Sequence, residues 1–480
     1  MIESEEIQHS DDLQKPLQDV QRLIERHRLV EHLVDRQEGA RQELVAGLVH
    51  KQHLAELSSR LERMHPADIA YILEALPLPD RLLVWDLVRV ERDGEILLEV
   101  SDAVRESLIE AMEPKELVAA AEQLDADELA DLAPDLPREV LQDLYLALDV
   151  EEREQLRAAM SYPEDSVGAL MDFEMVTVRE DVTLEVVLRY LRLFDALPDQ
   201  TDQLFVVDRQ EMLRGTLQFE RLLVNDPELL VSAVMRAETL TLHPDDKADD
   251  AAQAFERYDL VSAPVVDGQG RLIGRVTVNA VLDFVREAGE EDLLAQAGLA
   301  EDEDIFAPIW DSVKNRWAWL AINLVTAFIA SRVIGAFEAS IEKLVALATL
   351  MPIVAGIGGN SGNQTITMIV RALALGQVQA EQTNKLYRKE LGVATFNGLI
   401  WGGLLGSVAA LLYKSVALGV VMTAAMTLNL LLAALVGVTI PTLMQRLGRD
   451  PALGSSVLIT AVTDSGGFFI FLGLATLFLL

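Results

Sequence analysis

Two stretches of this 480-residue chain place groups able to ligate a cation inside otherwise apolar sequence. The first, PIVAGIGGNSGNQTITMIV (352–370), mixes Pro352 and four glycines with Asn360, Asn363, Gln364, Thr365 and Thr367. Glycine and proline unwind a helix, and backbone groups freed at membrane depth must be buried in protein or face a wet cavity. The pattern predicts carbonyls turned inward by Gly356, Gly358, Gly359 and Gly362, with amide oxygens beside them, a lining suited to a hard cation. The second stretch, DPALGSSVLITAVTDSGGFFIFLGLATLFLL (450–480), has one ionisable side chain in its apolar run, Asp464, with Thr460 and Thr463 beside it. An acid at mid-bilayer costs about 2.5–3.5 kcal/mol on insertion scales, so it is a functional candidate unless a buried base pairs with it. No Lys or Arg lies mid-span, and Arg332 falls near a span end, where it can snorkel.

The chain has no cysteine, and its seven histidines (His9, His27, His32, His50, His53, His65 and His243) all precede the apolar region. Ligands there are therefore almost exclusively oxygens, which argues against zinc or copper and for magnesium, calcium or manganese. Magnesium gives up water reluctantly, so neutral carbonyls and one carboxylate suffice to hold it through its hydration shell. One carboxylate per chain is too sparse for a stripped Ca²⁺; two copies facing each other would supply two.

Charge divides the chain. Eleven basic and six acidic residues from Val313 onward give +5 against −37 for the whole, so residues 1–312 carry −42. Such an acidic region repels nucleic acid phosphate and attracts cations. A transmembrane helix needs roughly 20 mainly apolar residues, and five segments qualify: 317–337, 344–370, 391–413, 417–443 and 454–479. Lys314 and Arg316, then Arg371, Lys385, Arg388 and Lys389, then Arg446 and Arg449, mark alternate ends, against only Lys343 and Lys414 on the other side. The positive-inside rule then places the N-terminus in the cytosol and the C-terminus outside. The acidic opening MIESEEIQHSDD, unlike a secretory signal, agrees. Gly398, Gly402 and Gly406 recur every four residues in the third span, a small face for close helix packing.

MPIVAGIGGNSGNQT and DPALGSSVLITAVTDSGGF resemble the two pore signatures of the MgtE family of magnesium channels, and the resemblance extends over nearly the whole chain. It implies a multidomain membrane protein: an α-helical superhelical N domain, an α/β tandem CBS pair and a five-span α-helical transmembrane domain. It also implies a homodimeric inner-membrane Mg²⁺ channel with a pore lined by the second and fifth spans. On the matching positions, Asp464 would hold the hydrated ion, with Gly356, Gly359, Asn363 and Thr460 contributing oxygens. The expected divisions are a helical extension (1–39), the N domain (40–165), the CBS pair (166–286), an acidic connecting plug helix (287–316) and the pore domain (317–480).

In the soluble half, MHPADIAYILEALPLPDR and MEPKELVAAAEQLDADELADLAPDLPREV share a proline at the helix start, an apolar stripe and a Leu-Pro exit. Their acids read as a solvated face. SYPEDSVGALM resembles the family's usual junction. LFVVDRQEMLRGTLQ (204–218) and APVVDGQGRLIGRVT (263–277) read as two equivalent strand pairs, and the duplication resembles a tandem CBS pair. Many such pairs hold the ribose of an adenosine nucleotide through an Asp three residues beyond a strand-end Ser or Thr. Those places are Arg221 and Ala280 here, so ATP binding is not expected; saturable micromolar ATP binding would refute this. NAVLDFVREAGEEDLLAQAGLAEDEDIF (279–306) is rich in acids, and the resemblance implies that Asp283, Glu287, Glu290, Glu291 and Asp292 bind regulatory Mg²⁺ and shut the pore. Asn279 and Ala280 stand where relatives often carry aspartates. Nothing suggests catalysis: there is no nucleophile–base arrangement and no phosphate-cradling glycine loop. Two other readings stay open, a path for another hard divalent ion such as Mn²⁺ or Co²⁺, and a non-conducting membrane-anchored sensor.

Overall fold

The computed structural model describes residues 14–34, 52–299, 304–374, 383–447 and 455–480. Residues 35–51, which include the expected start of the N domain, and Arg449 in the last basic connection lie outside the described residues. The chain divides into two units, Met1–Ala288 with Asp304–Ala307, and Gly289–Glu303 with Pro308–Leu480.

In the first unit, α1 (Gln14–Val34) and α2 (52–61) precede short helices whose starts follow local signals. These are α3 (Pro66–Glu74), α4 (Leu78–Trp85), α5 (Asp93–Glu99), α6 (Asp102–Ile109), α7 (Pro114–Ala121), α8 (Ala126–Leu132), α9 (Arg138–Ala147) and α10 (Val150–Ala159). Pro66 opens α3 behind a His65 cap, and capping boxes Glu113/Glu116 and Asp125/Glu128 open α7 and α8. Each satisfies backbone N–H groups that the helix itself cannot pair. Helices this short are not stable alone; the shared core, including Leu73, Leu97, Leu108, Leu132 and Leu144, holds them. The repeat shows in two buried arginines. Arg81 Nε donates to the Leu73 carbonyl at 3.0 Å, and Arg105 Nε, one repeat on, donates to the Leu97 carbonyl at 2.8 Å.

The duplicated α/β part follows: β1 (Thr177–Arg179), α11 (Leu184–Leu191), β2 (Gln203–Val207), β3 (Leu213–Gln218), α12 (Phe219–Val224), α13 (Val231–Val234), α14 (Ala248–Tyr258), β4 (Ser262–Val266), β5 (Leu272–Thr277) and α15 (Val278–Ala297). Both expected hairpins form, β2 antiparallel to β3 and β4 to β5, with a register shift at the matching place, Val206/Val207 and Val265/Val266. The turns match as well. Asp208 accepts from the Gln210 and Met212 amides, and Asp267 from those of Gln269 and Arg271. Glu211 takes φ 62° where the second copy has Gly270 at φ 83°, a left-handed conformation that favours glycine. Gln203 Nε2 joins the copies by donating to the Ser262 carbonyl at 3.0 Å. The division expected at 286/287 falls inside α15, which runs unbroken to Ala297 before Gly298 takes φ 73°.

The second unit is helical: α16 (Ile309–Gly335), α17 (Glu338–Lys343), α18 (Ala346–Ala374), α19 (Thr383–Tyr413), α20 (Val416–Arg446) and α21 (Ser455–Phe478). Among the described residues, four stretches, in α16, α19, α20 and α21, are long and apolar enough to cross a membrane. The remaining expected span, 344–370, falls in α18, which has 29 residues but whose glycines and amides dilute its apolar content. Between α19 and α20, Lys414 takes φ 51° and the Ser415 hydroxyl accepts from the Leu418 amide at 3.3 Å. That two-residue turn folds the helices back on each other. The glycine face of α19 packs there as expected: a Cβ at Gly398 would lie 2.7 Å from Thr427 Cα, and one at Gly402 3.0 Å from the Thr423 carbonyl. Thr423 Oγ1 then donates to the Gly402 carbonyl at 3.0 Å.

Candidate ion pathway and its acidic regulator

The glycine-rich stretch is not unwound. α18 is one helix from Ala346 to Ala374 with Pro352 inside it, so the expected inward-turned carbonyls are absent and those oxygens belong to the helix's own ladder. Pro352 removes a single amide donor, and the glycines serve contact instead of irregular backbone. A Cβ at Gly362 would lie 2.5 Å from Ile459 Cγ1 of α21, and one at Gly437 of α20 would lie 3.0 Å from Thr365. Close approach of backbones through small residues is how membrane helices associate.

With its glycine side used for packing, α18 turns a polar strip outward. Gly356, Asn360, Gln364 and Thr367 are exposed, Asn363 is half-buried, and a Cβ at Gly356 would meet nothing within 4 Å. Gly359 is buried, its missing Cβ 3.6 Å from Thr463 Oγ1 of α21. Gly359 against Thr463, and Gly362 against Ile459, set α18 and α21 antiparallel and bring Asn363 level with the turn holding Thr460. Thr460 is exposed and its hydroxyl donates to the Ser456 carbonyl at 2.8 Å. Asp464 is half-buried, with no hydrogen bond or ion pair to its carboxylate among the described residues. Arg332 lies over the Phe328 ring, 5.2 Å from its centroid. Asn363 Oδ1 is buried without a donor.

The acids of the first unit do not form the purely solvated face expected of them. Burial pushes Asp93 up to about 7, helped by Glu116 and Glu91. Burial also pushes Asp127 up to about 8, with Asp172 adding repulsion. Asp131 is raised by enclosure and then by Glu287 of α15, while Glu287 is raised by enclosure and then by Asp102. Both keep solvent-exposed surface, so the cluster is open to ions. Arg105 and Arg286 offset part of this effect without reversing it, which leaves net negative character in the cluster. Of the expected regulatory acids, Asp283 and Glu287 join this cluster; Asp283 also lies 4.0 Å from Arg286. Glu290 and Glu291 are exposed, and the Asp292 side chain lies outside the described residues. Among the described residues, no three acids or histidines converge as a ready metal-binding group.

Three family models match the chain: a divalent cation transporter, MgtE, over residues 351–474; the MgtE intracellular N domain over 64–165; and a CBS domain over 231–287. A magnesium transporter MgtE of Thermus thermophilus is 33% identical over 429 residues, covering 87% of this chain and 94% of the relative. The chain belongs to the MgtE family. A second magnesium transporter MgtE, from Bacillus subtilis, is 25% identical over 432 residues, 90% of this chain and 96% of the relative. A solved cytosolic domain of the Mg²⁺ channel MgtE in complex with ATP is 31% identical, covering 50% of this chain and 97% of its own, at a TM-score of 0.45.

The MgtE match begins at residue 351, just before Pro352, and ends at residue 474, beyond Asp464. The CBS model matches the second of the two duplicated units. At the places where a nucleotide-binding CBS pair would hold ribose, Arg221 Nη1 donates to the Val234 carbonyl at 3.0 Å, and Ala280 offers only its amide, to Thr277 Oγ1 at 3.4 Å. Sequence reading missed two polar groups of the MgtE bundle. Glu390 of α19 is buried, accepting from Thr365 Oγ1 at 3.5 Å and lying 3.4 Å from Lys389 Nζ. Asn429 of α20 has no exposed surface. A signal for the second was available: it is a lone amide in the apolar run MTLNLLLAALVG.

Proposed function

We propose that this chain is a homodimeric Mg²⁺ channel that conducts the hydrated ion inward and closes when Mg²⁺ binds its acidic cytosolic part. The observation that carries the reading is the pairing of an uncompensated Asp464 with a polar strip facing outward along α18. Neither can face lipid, because hydrocarbon offers no partner for amides or a carboxylate. A second copy related by a two-fold axis would cover both strips with one isologous contact, placing two Asp464 carboxylates and two Asn363 amides around one water-filled path. α18 would then be the fifth span, its polar side hidden in the dimer. Basic residues at alternate helix ends support an N-terminus in the cytosol and a C-terminus outside, as a channel of a bacterial-type inner membrane would have.

Ligands held through water select by charge and by the size of the hydrated ion, and Mg²⁺ gives up its hydration shell reluctantly. Gly356 and Thr460, both exposed, would border the shell, with Asp464 supplying the charge; Gly359, buried against Thr463, would set the helix spacing behind them. The regulatory acids fit a loosely organised site for a hard divalent cation: Asp131, Glu287 and Asp283 repel one another until a cation screens them. An ion that binds the closed arrangement better than the open one shifts the population toward it. Purified protein in liposomes should take up Mg²⁺ down its gradient, and millimolar Mg²⁺ on the cytosolic face should suppress uptake. Uptake of Mn²⁺ or Co²⁺ without Mg²⁺ would assign another ion; no uptake of any of them would leave a sensor.

A further inference from the structure

A polar side chain at the centre of a membrane bundle needs a reason, and Asn429 has no exposed surface at all. It lies near the middle of α20, within an apolar run. Its Nδ2 donates to the Val354 carbonyl of α18 at 2.9 Å, while its Oδ1 is buried with no donor. Two glycines on different helices make room for it. A Cβ on Gly467 of α21 would lie 2.7 Å from Nδ2 and 3.0 Å from Cγ, and one on Gly358 of α18 would collide with the same amide. The amide is thus held between α18 and α21. Gly358 is one residue from Gly359 and little more than a turn from Asn363; Gly467 follows Asp464 by less than one turn.

We infer that Asn429 is a positioning residue for conduction: its amide sets the spacing and rotation of α18 against α21, and so the distance between the Asn363 amide and the Asp464 carboxylate. The inference rests on the pore assigned above. A leucine of similar size would fill the space but could not bond to Val354. An alanine would let the helices settle closer and turn. Because the ion is held through water, both changes act on the outer contacts that separate one hydrated divalent ion from another.

The test uses full-length protein in liposomes, reading Mg²⁺ and Co²⁺ uptake beside wild type at each pH. Asn429→Ala should lower Mg²⁺ uptake roughly tenfold, the size of one net hydrogen bond, and shift the Mg²⁺/Co²⁺ ratio at every pH. Asn429→Asp should recover uptake as pH falls, because only the protonated carboxyl can donate to the Val354 carbonyl. The facing residues Val354, Gly358 and Gly467 do not titrate, and dividing by wild type removes the responses of Asp464 on α21 and of the buried Glu390 on α19. Uptake and ion ratio unchanged in Asn429→Ala, or no pH recovery in Asn429→Asp, overturns the inference while leaving the pore reading intact. Variants that no longer assemble overturn it too, since the amide would then serve folding and not pore geometry. Failure of wild type itself to carry Mg²⁺ refutes the channel reading instead.

Discussion

Asp464→Asn should abolish Mg²⁺ uptake while the helical bundle stays assembled. The change is nearly isosteric, and the carboxylate has no bonded partner among the described residues to lose, so packing is preserved and only charge is removed. A divalent ion about 5 Å from one carboxylate gains roughly 1.5–2 kcal/mol in bulk water and about 6–7 kcal/mol at an effective dielectric near 20. The smaller figure already exceeds tenfold in occupancy, and a second copy doubles the effect. Uptake assays on wild type and variant, with thermal unfolding to show that the bundle persists, check this. An Asp464→Asn variant that conducts with unchanged ion preference would place the ion elsewhere.

In the cytosolic part, stability should fall as pH rises, and Mg²⁺ should restore it. Asp127 and Asp93 titrate near 8 and 7 in the fold, against about 3.9 for an unfolded aspartate. The folded state therefore binds protons more tightly. The stability these groups contribute is complete below pH about 4 and is lost as pH rises through 7 to 8. A bound divalent cation replaces the proton and removes the loss. In a domain of this size about 1 kcal/mol moves the melting temperature by roughly 2–4 °C, and each displaced unit is worth up to about 1.4 kcal/mol. Melting of the protein at pH 5 and pH 8, with and without millimolar Mg²⁺, should show a Mg²⁺ stabilisation at pH 8 that nearly disappears at pH 5. Asp127→Asn combined with Asp131→Asn should raise the ion-free midpoint at pH 8 and blunt both the Mg²⁺ response and the closure of uptake. A Mg²⁺ response equal at both pH values would mean that these acids are not the sensor.

Local signals made much of this architecture legible. Pro66 and Pro114 announce the starts of α3 and α7. Paired β-rich runs with Asp208 and Asp267 turns announce the duplicated hairpins. Glycines four residues apart announce the α19–α20 contact. What the sequence hid depended on partners distant in the chain. Gly358 and Gly362 read as helix breakers because their local effect is loosening, yet Asn429 and Ile459 press against them and favour a regular helix. Asp127 and Asp131 sit among acids on amphipathic helices and look solvated. Only the approach of Asp172 to the first and of Glu287 to the second, each distant in sequence, shows that they are crowded by other acids. Asp464 was conspicuous because it stands alone in an apolar run; whether a base paired with it required the fold.

The central claim is that Asp464 draws a hydrated divalent ion into a water path beside Thr460. The chain has no native cysteine, so Thr460→Cys, one turn from Asp464 and on exposed surface, is a single reporter. The account predicts that a cationic, water-soluble thiol reagent labels this cysteine in folded protein, that Mg²⁺ slows the labelling, and that adding Asp464→Asn removes the Mg²⁺ effect. A cysteine that stays unlabelled in folded protein, or whose Mg²⁺ protection persists without the carboxylate, would contradict it.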